Sequence, residues 1–157
     1  MILGHGCIST ASMSDLSKTA SAYDFDKLSR AEYIENEKNW SNRTVFEYYL
    51  KSTGVDDYLL VQAVKGAMEA YEFKVKILNI KERAILGQRG LSANEWKSVI
   101  GVYYRTANNS SEIYIKIRVT QDVTGSWRQD RAMEIGELIC RILRNCTESY
   151  SIDTMAI

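Results

Sequence analysis

The chain has 157 residues, 45% hydrophobic and 25% charged, with no proline and a formal net charge of zero. This composition excludes wholesale disorder and any proline-rich docking segment, and it suits one packed domain, because a core of this size buries about two-thirds of the unfolded surface. The charges are segregated all the same, with a net of −4 over residues 1–72, +6 over 73–120 and −2 over 121–157.

The chain opens with Leu3-Gly4-His5-Gly6-Cys7, followed by a run rich in Ser, Thr and Ala from Ile8 to Ala22. A small residue before a cysteine, with such a run after it, resembles the cleavage and acylation site of bacterial lipoproteins. The resemblance implies a diacylglyceryl and palmitate anchor on Cys7, and Ile8 after it implies the outer membrane. Residues 1–22 would then be a signal remnant and flexible tether, with the body of the protein on the periplasmic face. A full signal peptide needs a basic start and an apolar run of 7 to 15 residues, whereas only Met1, Ile2 and Leu3 precede Gly4. The sequence therefore begins inside a longer signal, or Met1 is the true start and Cys7 is an exposed cysteine.

Residues 23–55 read as an N-terminal helical extension. Tyr23, Phe25, Leu28, Tyr33, Ile34 and Trp40 are the large anchors of its first part, and residues 42–52 are taken as a helix ending before Gly54, although Val45, Phe46, Tyr48 and Tyr49 also favour a strand. Asp56 can cap a helix whose apolar positions Leu60, Val61, Val64, Ala67, Met68 and Tyr71 share one face. Phe73 to Ile77 then alternates apolar and basic residues as a half-buried strand does. Strands follow over 83–88, 96–105 and 113–120, the last two joined by an Asn108-Asn109-Ser110 hairpin. Ser126, with Gln129 three residues on, predicts the start of a final helix with a stripe of Ala132, Ile135, Ile139, Ile142 and Leu143, and Gly136 allowing close approach to the sheet.

The predicted fold is α+β, a two-layer sandwich with a four-stranded antiparallel sheet and two main helices on one face, in the order helix-strand-strand-strand-strand-helix. The core domain spans residues 56–147, with 148–157 as a C-terminal tail. This order is similar to the helix-grip-type domains of periplasmic lipoproteins such as BamC, which implies a non-enzymatic subunit of an envelope assembly whose partners are other envelope proteins and the membrane.

His5 is the only histidine, which removes most metal sites and every histidine-dependent triad. Asp24, Asp26, Asp56 and Asp57 read as caps and solvated acids, and no phosphate loop follows Gly87 or Gly90. No catalytic site and no cofactor are therefore expected. The segment 121–131 is polar around an aromatic; Trp127, Arg128 and Arg131 are its candidates for partner binding, since Trp and Arg dominate interface energetics. A second reading is a cytoplasmic module contacting RNA or another polyanion through an outward sheet face bearing Lys74, Lys76, Arg105, Tyr114, Lys116 and Arg118. Cys7, Cys140 and Cys146 are an odd count that does not suggest a disulfide framework. On one continuous helix Cys140 and Cys146 would lie about 9 Å apart by the helical rise, so both are expected as free thiols unless the helix ends between them.

Overall fold

A computed structural model describes residues 11–30, 44–90, 97–120 and 130–152. The fold is α+β, built on six antiparallel strands: β1 (Val45–Thr53), β2 (Lys74–Asn79), β3 (Ala84–Arg89), β4 (Ser98–Ala107), β5 (Ser110–Val119) and β6 (Cys146–Ser151), in the spatial order β2-β3-β4-β5-β1-β6. Three α-helices accompany them: α1 (Phe25–Ser29), α2 (Asp57–Ala70) and α3 (Arg131–Leu143).

Helix α2 has the expected start and face. The Asp56 carboxylate accepts from the Leu59 amide at 2.8 Å, and Leu60, Val61, Val64, Ala67 and Met68 are buried. The capping bond satisfies one of the orphan donors of the first turn. Asn108 and Asn109 both take positive φ, 51° and 61°, which is what a two-residue hairpin of primed type requires, and asparagine tolerates it.

Several expectations are corrected. The segment taken as a helix over 42–52 is instead β1, a central strand between β5 and β6. Its residues from Val45 to Leu50 are all buried, so both faces are apolar or packed and the period-two alternation that marks a strand is lost. The sheet therefore has six strands rather than four. The C-terminal tail is in part β6, an edge strand whose Tyr49↔Tyr150 register continues the sheet. The final helix is capped by Asp130, whose carboxylate accepts from the Met133 amide at 3.0 Å; Ser126 and Gln129 lie outside the described residues.

Cys140 and Cys146 form a disulfide, with Cα atoms 5.4 Å apart. The expectation of free thiols fails because α3 ends at Leu143 and Arg144 takes a left-handed conformation, φ 65°, that turns the chain back into β6. The 9 Å separation held only for an unbroken helix.

The two faces of the sheet carry two cores. On one face α2 and α3 pack over Phe46, Tyr48, Leu50, Ile85, Ile100, Val102, Ile113, Ile115 and Ile117. Gly136 is what lets α3 approach: a Cβ there would stand 2.2 Å from the Tyr48 ring. On the other face residues 11–30 cover Tyr49, Leu86, Val99, Tyr103 and Tyr114 with Ala11, Leu16, Ala20, Phe25 and Leu28. The two-layer expectation thus gains a third layer, and residues 11–22, expected to be a free tether, belong to the folded body.

Candidate functional site

The strap formed by residues 11–30 is tied along its length. The Ala11 amide donates to Thr120 Oγ1 at 3.0 Å, the Tyr103 hydroxyl donates to the Ser17 carbonyl at 2.6 Å, and the Ala20 amide donates to the Glu82 carbonyl at 2.9 Å. Thr19 Oγ1 donates to Glu82 Oε2 at 2.8 Å, and the Tyr150 hydroxyl donates to the Leu28 carbonyl. A strap with little secondary structure of its own exposes backbone carbonyls, and buried tyrosine hydroxyls on the sheet meet that need.

Beneath the strap lies a layer of tyrosines and buried charges. Tyr23 packs on Tyr103 and Tyr114 with ring centroids 4.5 and 4.8 Å away, and Lys116 Nζ lies 6.0 Å from the Tyr23 ring centre. Tyr49 donates to Glu112 Oε1 at 2.8 Å, and Tyr114 donates to Glu47. Arg105 Nε donates to Glu112 Oε2 at 2.7 Å, and its Nη2 reaches Asp26 at 3.0 Å, so the guanidinium clips α1 to the sheet. Burial alone would lower the affinity of Arg105 for its proton, but the hydrogen bonds to Glu112 and Asp26 outweigh it and hold the group above its ordinary value. Burial pushes the Tyr49 and Tyr103 hydroxyls well above the usual tyrosine value, so both are neutral donors throughout the physiological range.

This layer corrects the expected polyanion face. Tyr114 is fully buried and Lys116 is 6% exposed, both under the strap, and Arg105 is bound to two carboxylates. Lys74 and Lys76 are exposed, but on edge strand β2, at the opposite side of the sheet from β1. Arg118 is half-buried near the end of β5. The six residues do not form one outward surface. The missed signal was the pair of tyrosines on the supposedly wet side of strands β4 and β5: two large aromatics there need a cover, and the aromatic-bearing segment around Tyr23, Phe25 and Leu28 was available to supply it.

Of the candidates for partner binding, Arg131 is a tie between helices. Its Nη1 donates to Glu134 at 2.8 Å and its guanidinium lies 5.7 Å from the Tyr71 ring centre. Trp127 and Arg128 lie outside the described residues, as does Cys7.

Two open clefts flank the strand β2 side. One, of about 620 Å³, is lined by the strap from Thr19 to Phe25 with Lys81, Glu82, Arg83, Tyr104 and Arg105. The other, of about 770 Å³, runs between α2 and β2 past Lys65, Glu69, Phe73, Lys74, Lys76 and Leu78. Among the described residues no cluster of three or more His, Cys, Asp or Glu is arranged to hold a metal, and no helix is long and apolar enough to cross a membrane. Of the large apolar side chains left exposed among the described residues, Tyr58 and Leu59 open α2, Leu78 lies near the end of β2 and Ile80 just beyond it, Ile142 stands near the end of α3, and Met133 lies in its first turn. Strand register and connectivity put all of these except Met133 at the end of the sheet away from Ala11.

What fold and site define together is an antiparallel α+β domain with two helices on one face, an N-terminal strap on the other, and a disulfide fastening its last helix to its last strand. Compared with protein-family models and with curated protein sequences, the chain matches none.

Proposed function

We propose that the protein is a non-enzymatic, lipid-anchored lipoprotein of the bacterial envelope, held through Cys7 at the periplasmic face of the outer membrane and serving as an interaction subunit of a larger assembly. The observation that carries this reading is the Cys140–Cys146 disulfide. Disulfides form and persist in oxidising compartments such as the periplasm and are rare in the cytosol. The bond therefore favours the envelope over the cytoplasmic polyanion-binding alternative, which also loses its contiguous basic face.

Two helices gripped on one face of an antiparallel sheet support the likeness to helix-grip-type domains of the BamC-like kind at the level of architecture. For partner contact, the exposed Tyr58, Leu59, Ile80 and Ile142 support the end of the domain farthest from Ala11. Trp127 and Arg128 stay candidates for the same role by residue type.

Fractionation tests the anchor. The wild-type protein, expressed from its native reading frame, partitions into the membrane fraction and resists salt extraction, whereas Cys7→Ala appears in the soluble periplasmic fraction. Equal partitioning of both forms into the soluble fraction would contradict the proposal.

A further inference from the structure

The strap changes what an anchor on Cys7 would do. A free tether of about 15 residues would let the domain turn at a root-mean-square distance of roughly 20 Å from the bilayer. Ala11, however, is 2% exposed and hydrogen-bonded to Thr120, which itself donates to the Lys97 carbonyl at 2.7 Å. Only four residue steps separate Cys7 from that fixed point, and a fully extended chain covers at most about 14 Å in four steps.

Strand register identifies which end of the sheet this is. Val45 pairs with Arg118, Ser98 with Val119 and with Arg89, and Lys74 with Gln88, so the first residues of β1, β2 and β4 and the last of β3 and β5 share one end with Ala11. The Asn108–Asn109 hairpin closes the other end, separated by the ten residues of β5, or about 33 Å at the usual rise per residue. The near end carries Lys74 and Lys97, while Arg89, 12% exposed in its side chain, is paired with Glu72 at 2.7 Å and Asp130 caps α3 there. Basic side chains close to a surface of anionic headgroups are attracted to it over about a Debye length.

We infer that in the acylated protein the Ala11–Thr120 end of the sheet is apposed to the bilayer, with Lys74 and Lys97 toward the lipid headgroups, the strands leading away and the Asn108–Asn109 hairpin farthest out. This inference rests on the lipoprotein reading and adds an orientation to it. It also leaves the exposed Tyr58, Leu59, Ile80 and Ile142 facing away from the membrane, open to a periplasmic protein.

The test uses full-length acylated protein purified from membranes and reconstituted into vesicles of phosphatidylethanolamine and phosphatidylglycerol that contain headgroup-nitroxide lipid. With Cys140 and Cys146 bonded and Cys7 acylated, Lys74→Cys and Asn109→Cys each offer one thiol for a fluorophore; Lys97→Cys is a second near-end position should the first label poorly. The inference predicts several-fold stronger quenching at 74 or 97 than at 109, and loss of that difference when ten Gly-Ser residues are inserted between Cys7 and Ala11. Equal quenching at both ends in protein whose mass shows the acyl groups would overturn the orientation and leave the anchor standing. Protein that carries no acyl mass would overturn both.

Discussion

The backbone N–H of Ala11 donates a 3.0 Å hydrogen bond to Oγ1 of Thr120, joining the start of the strap to the end of β5 across 109 residues of sequence. The same hydroxyl donates to the Lys97 carbonyl at 2.7 Å. Replacing Thr120 by Val keeps the shape and removes both side-chain bonds; the Lys97 carbonyl still accepts from the Thr120 amide at 3.0 Å, whereas the buried Ala11 amide is left unpaired. The expected cost is about 1–3 kcal/mol. Denaturant titration measures it, and amide exchange should quicken first in residues 11–23, before the central strands.

Gly136 and Gly66 sit on two helices in opposite surroundings. Gly136→Ala drives a Cβ to 2.2 Å from the Tyr48 ring, whereas nothing lies within 4 Å of a Cβ at Gly66. The first substitution should cost about 1–3 kcal/mol through overpacking. The second should raise stability by about 0.5–1 kcal/mol, because alanine is the better helix former at an exposed interior position. Thermal melts of the pair check the signs.

The Cys140–Cys146 bond closes a short loop, so the chain-entropy estimate of its contribution is about 2 kcal/mol. Cys146→Ser, or reduction of the wild type, should lower stability by that amount. The loss should be concentrated in the edge: amides of β6 should exchange faster, while those of α2 keep their protection. Thiol alkylation before reduction should label neither cysteine.

Tyr49 and Tyr103 have folded-state pKa values raised by burial above the ordinary tyrosine value of 10.0. Above that pH the unfolded chain releases tyrosine protons that the folded chain retains, so stability is fully present below about pH 10 and falls as pH rises beyond it. Unfolding at alkaline pH should therefore coincide with a cooperative rise in tyrosinate absorbance. A smooth titration of all ten tyrosines with the fold intact would contradict the buried network.

Periodicity made part of this structure legible. Helix α2 announced itself through Leu60, Val61, Val64, Ala67 and Met68 on one face, all of which are buried, and the apolar positions of β5 on the helix side, Ile113, Ile115 and Ile117, alternate as a strand requires. β1 reads as a helix in sequence because burial on both faces erases alternation, leaving a run of aromatic and β-branched residues that length alone does not assign. The end of α3 was hidden because the left-handed turn falls on Arg144, a residue type that carries no such signal. The layer under the strap was hidden for a different reason. Glu47, Glu112, Lys116 and Arg105 look like a solvated face until tertiary packing brings in a cover, and the partners that make their burial tolerable come from Asp26, Tyr49 and Tyr114, residues far apart in sequence.

The most direct test of the lipid anchor is the intact mass of the protein recovered from its native membrane fraction, set beside that of Cys7→Ala. The recovered chain is expected to begin at Cys7, to carry three acyl chains through diacylglyceryl and amide linkage, and to be two hydrogens lighter for the Cys140–Cys146 bond, with the acyl mass lost in the variant. An unmodified chain starting at Met1, in which Cys7, Cys140 and Cys146 are all alkylated without prior reduction, would contradict the envelope lipoprotein.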